Sequence, residues 1–304
     1  TGQEMSGSGH REGLPFVKMH GLGNDFAIID ARGDETLAAV TKPGTASVLA
    51  DRRKGIGCDQ VICLQQSEAD SSCFMRIINH DGSEVQACGN ATRCVAFLLL
   101  EQVDEKSPLE EVSIRTVAGL LHCRRTPVGI SVDMGRPGLS WEQIPLRHET
   151  DDVCTVLVSA GIACPSTRAF CVSIGNPHVV FVVPDATSVS LETIGPQIEH
   201  HSLFPERVNV SVVSSFGEGA VRVRTWERGA GLTGSCGTGA CASVVASVQL
   251  GVVAVADQLE VVMDGGAVHV SYARANVFLS GPTSKVFRGH VPESTWRTWR
   301  DIPT

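Results

Sequence analysis

The sequence predicts an α+β protein of two pseudo-repeat domains, each a mostly antiparallel, strand-rich sheet or barrel around one central helix, with the active site in the cleft between them. Three observations predict it: a motif that recurs after 148 positions, strand-like stretches that outnumber helical ones, and one apolar helix per half that begins just after a Cys-Gly step. Arg76-Ile-Ile-Asn79 followed by Cys88-Gly89 is echoed, at that one separation, by Arg224-Thr-Trp-Glu227 followed by Cys236-Gly237. Gln60 with Asn209, and Gly23-Asn24 with Gly175-Asn176, fall within a few positions of the same frame. The period far exceeds the roughly 20–50 residues of solenoid repeats, so it marks duplication of a whole domain. Equivalent motifs can then face each other across one cleft, where ligand sites preferentially form.

Along the chain, Thr1–Gly13 is polar, rich in Gly and Ser, and lacks the apolar core of a signal peptide. Residues 1–14 therefore read as a mobile leader. Residues 15–131 make the first half, completed by 285–304, and 132–284 make the second. Val17–Asp30, Val61–Leu64, Phe74–Asn79, Val112–Ala118 and Leu120–Arg125 alternate or are β-branched and predict strands, while Ala91–Glu101 predicts a helix. In the second half Ala169–Ser173, Val179–Val183, Val208–Ser214, Ala220–Trp226, Gln258–Met263 and Ala267–Tyr272 predict strands, and Gly239–Leu250 a helix of small residues. Asp34–Asp51, Glu149–Val158 and Leu191–His200 read as further helices or loops. One helix among many strands in each half fits α+β better than regular βαβ alternation.

Composition narrows the function. With 304 residues, 42% apolar and 19% charged, the chain is that of a well-packed globular protein. Its net charge is −8, from 25 basic and 33 acidic residues, and no long basic run occurs, so neither nucleic acid nor an anionic membrane surface is expected as a partner. The longest apolar runs, Val95–Leu100 and Val252–Ala256, fall far short of the roughly 18 residues a membrane helix needs. A cytoplasmic protein with a small ligand is expected, with its eleven cysteines mostly reduced. Cys58/Cys63, Cys88/Cys94 and Cys236/Cys241 are too loosely spaced for a Cys-x-x-Cys knuckle and no His-Glu-x-x-His occurs, so no metal is expected.

The chemistry points to the two Cys-Gly steps. Cys88-Gly89-Asn90-Ala91 and Cys236-Gly237-Thr238-Gly239 each lead into a helix, whose unpaired amides should lower a thiol's pKa and can hold a carboxylate. Free cysteine is usually inert core, and the other nine keep that reading. Two thiols from two halves facing one carbon suit inversion: one thiolate takes a proton from one face and the other thiol returns one to the opposite face.

Asn79-His-Asp-Gly-Ser-Glu-Val-Gln-Ala-Cys88-Gly-Asn-Ala-Thr-Arg93 resembles the signature of the diaminopimelate epimerase family. Lys18-Met-His-Gly-Leu-Gly-Asn-Asp-Phe26, Gly57-Cys-Asp-Gln60, Gly175-Asn-Pro-His178, Phe204-Pro-Glu-Arg-Val-Asn209 and Glu227-Arg-Gly-Ala-Gly231 resemble it too, in family order between about Phe16 and Val291. The resemblance implies a cofactor-independent, cytoplasmic, homodimeric epimerase that interconverts LL- and meso-2,6-diaminopimelate in lysine and cell-wall precursor synthesis. It implies Cys88 and Cys236 as the acid/base thiols. Asn24, Gln60, Asn79, Asn176 and Asn209, with Glu227 and Arg228, would clamp the non-reacting end of the substrate. Gly89-Asn90 and Gly237-Thr238 would offer backbone amides to the reacting carboxylate. His178 reads as a satisfied structural histidine, unneeded as a base beside two thiols. Leu232 stands where many members have glutamate, and Ala91 and Thr92 also depart from the commonest residues, which bears on substrate preference.

Three rival readings compete with this one. Gly229-Ala-Gly231-Leu-Thr-Gly234 matches a dinucleotide fingerprint, but such a unit needs its helix to open within the glycines, whereas here the run leads on to Cys236. A redox sensor could use the same two thiols as a switch. Relatives on the same fold that act on proline, hydroxyproline or histidine are the nearer alternative.

Overall fold

The first half begins with two strands, β1 (Gly13–Gly21) and β2 (Asn24–Asp30), paired as a hairpin. This computed structural model describes residues 13–67, 70–86, 88–101, 110–217, 219–254, 258–273 and 275–302, so the leader expected over 1–12 lies outside the described residues. Gly13 and Leu14, counted above with that leader, belong instead to β1, where Leu14 is fully buried. The single strand expected over Val17–Asp30 is broken by Leu22 and Gly23, both at positive φ (54° and 86°), the geometry that two-residue hairpin turns favour.

A 3-10 turn (Glu35–Thr41) and α1 (Pro43–Ala50) carry the chain across to β3 (Gln60–Gln65), parallel to β2. β4 (Cys73–Asn79) returns antiparallel to β3, and the short β5 (Glu84–Val85) folds back on it. After α2 (Gly89–Glu101), β6 (Glu111–Thr116) runs parallel to β4, followed by β7 (Gly119–Thr126) and β8 (Gly129–Asp133) as an antiparallel meander.

The second half repeats this order. After α3 (Val153–Ser159), β9 (Ala169–Ser173) pairs antiparallel with β10 (Pro177–Val182). A 3-10 turn (Ala186–Ser188) and α4 (Leu191–Glu199) cross over to β11 (Asn209–Ser215), parallel to β10. β12 (Ala220–Glu227) is antiparallel to β11, and β13 (Gly231–Thr233) folds back on β12 as β5 does on β4. α5 (Gly237–Gln249) follows, then β14 (Leu259–Met263) parallel to β12, and β15 (Gly266–Ala273) and β16 (Asn276–Gly281) antiparallel. Each half thus holds two parallel pairings within a mostly antiparallel sheet.

β8 and β16 pair antiparallel and join the halves into one sheet. β17 (Ser284–Pro292) then returns to pair antiparallel with β1, and α6 (Glu293–Arg300) packs on these two strands.

The two central helices explain why the sheets curl. α2 buries residues on every side, as a helix enclosed by strands must. Its Val95, Leu98, Leu99 and Leu100 share one core with Ile62, Met75, Ile77, Ile114 and Val132 of the surrounding strands. α5 fills the same place with Ala240, Ala242, Val244, Val245 and Ala246 against Val180, Val213, Val223, Val261 and Val270. Truncating one such buried leucine to alanine costs about 2–5 kcal/mol. The outer faces are covered by α1 and α6 in the first half and by α3 and α4 in the second. Among the described residues no helix is long and apolar enough to cross a membrane.

Candidate active site

Both central helices are thirteen residues long, and their first turns abut. Gly89 and Gly237, the first residue of each, allow this approach. A Cβ on either would stand 3.0 Å from Leu279 Cδ2, and one on Gly237 only 3.9 Å from Gly89 Cα. The residue before each glycine is a cysteine, so Cys88 and Cys236 come from opposite halves to one junction.

Each sulfur is dressed by its own helix. The amides of Asn90 and Ala91 bond to the Cys88 sulfur, and its thiol donates to Asn24 Oδ1 at 3.7 Å. Cys236 caps α5, accepting from the Gly239 amide at 3.3 Å, and lies 3.6 Å from Thr238 Oγ1. Residue 239 must be small, since a Cβ there would lie 2.6 Å from Thr225 Oγ1 and 3.2 Å from the Cys236 sulfur.

Glu227 is the link between the thiols. Its carboxylate hydrogen-bonds Cys236 and Thr233 Oγ1, and its charge also acts on Cys88. Glu227 thus stands at the thiols, while the exposed Arg228 that follows it in sequence turns toward Glu206. Burial raises the Glu227 pKa, with Thr233 and Cys236 opposing.

The thiols are also less acidic than their helix positions suggested. Burial pushes Cys88 up to about 11 against the pull of the Ala91 amide, and Glu227 adds to the rise. Cys236 is driven well above the ordinary thiol value by burial and then by Glu227. In this state desolvation outweighs the helix N-termini.

The amide side chains divide by half. In the first, Gln60 Nε2 donates to Asn79 Oδ1 (2.9 Å) and Asn79 Nδ2 to Ser83 Oγ (3.0 Å), which leaves Gln60 Oε1 buried without a partner. Asn24 Nδ2 donates to Asp59 Oδ2 at 3.1 Å, turning Oδ1 toward Cys88 and toward Asn90 Nδ2, 3.4 Å away. In the second half, Asn209 donates to the Pro177 carbonyl (2.8 Å) and accepts from the Arg228 amide (3.0 Å). Exposed Arg228 reaches the Glu206 carbonyl at 2.8 Å. Asn176 Nδ2 donates to Thr238 Oγ1 at 3.3 Å, and its Oδ1 accepts from His178 Nε2 at 2.9 Å. Burial, then Arg228, lowers His178 to about 3, so the ring is neutral and Nε2 carries the proton.

Three residues with no assigned role in the sequence reading complete the surroundings. Asp59 sets the Asn24 amide and shares Arg52 with Asp25. Ser235 Oγ accepts from Asn90 Nδ2 at 3.3 Å across the junction. Arg93 holds Asn90 Oδ1 at 2.7 Å. The signal for Arg93 is a lone cation directly ahead of the apolar run Cys94–Leu100 of α2.

The glycine run over Gly229–Gly234 covers the turn after β12 and β13 itself, and α5 opens only at Gly237, so the dinucleotide reading falls. A cavity of about 1140 Å³ lined by Asp70, Glu111, His122, Ser131, Gln258 and Phe278 holds none of the residues above, and we place the chemistry at the thiols.

Comparison with known proteins agrees with this architecture. The family model for diaminopimelate epimerase matches residues 16–139 and 170–286. Diaminopimelate epimerases from Rhodospirillum centenum and Acidiphilium cryptum are 46% and 44% identical, over 92% of this chain and 92% of the first relative, and over 91% and 96% for the second. Among solved structures, a hydroxyproline epimerase from Agrobacterium vitis superposes with TM-score 0.63 at 15% identity, covering 93% of both chains. A phenazine biosynthesis protein of the PhzF family from Enterococcus faecalis does so with TM-score 0.65 at 14% identity, covering 91% of this chain and 98% of its own. These two speak for the fold alone. On the matched segments and the relatives' identities, the chain belongs to the diaminopimelate epimerase family.

Proposed function

We propose that the chain interconverts LL- and meso-2,6-diaminopimelate without a cofactor, by proton transfer between two thiols. The observation that carries the mechanism is the convergence of Cys88 and Cys236, on two abutting helix N-termini, with Glu227 reaching both. One thiolate removes the α-proton and becomes a thiol. The other thiol protonates the opposite face and becomes a thiolate, so no proton is gained or lost overall.

The carbanion that forms between these steps spreads its charge onto the α-carboxylate. Amides at the first turns of α2 and α5, around Gly89-Asn90 and Gly237-Thr238, suit that developing charge, because helix N-termini offer preorganised donors to an anion. The far end of a diaminopimelate carries a second ammonium and carboxylate. The vacant Gln60 Oε1, with the carbonyl oxygens of Asn79 and Asn209, suits the ammonium, and Arg228 suits the carboxylate. Asn24 and Asn176 stand nearer the thiols, one in each half. We carry the cytoplasmic, homodimeric setting as part of this proposal, and a sizing measurement checks the dimer.

The test is α-proton exchange in deuterated water with diaminopimelate, proline, hydroxyproline and histidine offered separately. Exchange with diaminopimelate alone supports the assignment. Exchange with one of the others alone redirects it, and exchange with none leaves the thiol-sensor reading.

A further inference from the structure

Asn24 and Asn176 are equivalents in the two halves, yet their carboxamides are turned opposite ways. Asn24 gives its Nδ2 to Asp59 Oδ2 and so presents Oδ1 to the Cys88 thiol, 3.7 Å away, and to Asn90 Nδ2. Asn176 takes the His178 Nε2 proton on Oδ1 and so presents Nδ2 to Thr238 Oγ1, which lies 3.6 Å from the Cys236 sulfur. A carboxamide carries an acceptor at one tip and donors at the other, so the group that holds its far tip decides what the near tip offers.

The strand registers show where the halves parted. Gln60 lies opposite Phe26 where β3 runs beside β2, and Asn209 lies opposite His178 where β11 runs beside β10. Phe26 therefore stands where the second half has His178, and Asp59 and Asp25 stand where it has Val208 and Pro177. The polar group that grips the asparagine is thus an acceptor from the start of β3 in one half and a donor from β10 in the other.

Asp59 is itself held firmly. Its Oδ2 also accepts the Asp25 amide at 3.1 Å, and Asp25 Oδ1 accepts the Asp59 amide at 2.9 Å. Arg52 Nη2 bonds Oδ1 of both carboxylates, at 2.8 Å to Asp59 and 2.7 Å to Asp25, and Nη1 takes Asp25 Oδ2 at 3.0 Å. The Arg52 and Asp59 side chains are 58% and 45% exposed, so their attraction adds little to stability. What the bracket sets is direction, because an ionised carboxylate only accepts and Asn24 can meet it only with Nδ2. Asn90 agrees with that choice: Arg93 holds its Oδ1 at 2.7 Å, which leaves Nδ2 for Asn24. A reversed Asn24 would set oxygen against oxygen at Asp59 and donor against donor at Asn90.

We propose that Asp59, braced by Arg52, is a positioning residue of the reaction: it locks the Asn24 carboxamide with its oxygen toward Cys88 and thereby pins that sulfur where proton transfer needs it. The inference rests on the two-thiol reading above. Pinning matters because proton transfer at carbon depends steeply on where the sulfur sits.

The test is a double-mutant cycle of Asp59→Ala and Asn24→Ala, read by turnover of diaminopimelate and by iodoacetamide labelling of each thiol at one pH, resolved by peptide mass. Each single variant should lower kcat about tenfold or more. The double variant should be no slower than Asn24→Ala, within about twofold, because Asp59 acts through Asn24. Asp59→Ala should change the Cys88 labelling rate about threefold or more and leave Cys236 unmoved, and it should change neither once Asn24 is alanine. Losses that multiply, a wild-type kcat in either single variant, or labelling that shifts equally at both thiols would overturn the proposal. If Asp59→Ala does not fold, the same cycle with Asp59→Asn, which keeps the shape and loses one acceptor, decides by the same rule. Full turnover in Cys88→Ala would instead defeat the two-thiol reading, whereas multiplying losses beside an inactive Cys88→Ala would defeat the role of Asp59 alone.

Discussion

The two half-sites share one backbone plan and differ in the side chains set on it. Gln60 and Asn79 pair across β3 and β4 in the first half. Asn209 and Glu227 hold the matching places on β11 and β12 in the second. Arg93 on α2 is answered by Cys241 on α5, while Cys88 and Cys236, and Gly89 and Gly237, are kept in both. Duplication supplied the geometry of inversion, two helix N-termini meeting head to head. Divergence within it set unequal surroundings on the two thiols, with Glu227 bonded directly to Cys236 and no counterpart of Arg93 on α5.

The largest effect should come from removing what the halves have in common. Cys88→Ala or Cys236→Ala should each lower inversion by about 10³-fold or more with folding intact, measured by circular dichroism and turnover. Full turnover in either variant would break the symmetry argument at its root.

Next come the places where the halves differ. Glu227→Gln removes the carboxylate that raises Cys236, so Cys236 should titrate lower and the falling, alkaline limb of the pH–rate profile should move down in pH. We expect kcat to fall about tenfold to a hundredfold with it. An unmoved limb would take Glu227 away from Cys236. Arg228→Ala should raise KM about tenfold with little change in kcat, because a distal anchor binds substrate and transition state alike. An unchanged KM would remove Arg228 from the site.

The smallest effect is on stability in acid. His178 is buried neutral with its pKa lowered to about 3, so below about 6.5 the unfolded chain binds a proton that the folded chain refuses. Stability is therefore lost as pH falls, by about 2 kcal/mol at about pH 5. His178→Gln can keep the bond to Asn176 and should flatten that loss in denaturant titrations. A loss as steep as that of wild type would assign it to other groups.

How much of this was legible in the sequence follows from the same physics. The halves, the central helices and the paired cysteines were legible because duplication repeats whole motifs in register, and a helix buried all round is apolar all round. β17 was not, since most of its side chains are exposed and it lacks an alternating pattern. β16 ends in Ser280 and Gly281, residues that read as a turn. The contact of Glu227 with Cys236 was not legible, because adjacency in sequence groups Glu227 with Arg228. At the end of β12, neighbouring side chains point to opposite faces, which sends Glu227 inward to the thiols while Arg228 is exposed. The helix-end argument for acidic thiols was sound in sign but smaller than desolvation, a quantity set only when the halves close over the sulfurs.

The central claim is that two sulfurs, one from each half, flank a single carbon. Deuterium incorporation at low conversion tests it most directly, starting from one stereoisomer of diaminopimelate in deuterated water. Two separate thiols predict deuterium at the α-carbon of the product, with the remaining substrate still carrying hydrogen. Deuterium appearing equally in product and recovered substrate from the first turnovers would mean that one group serves both faces, and would contradict the account.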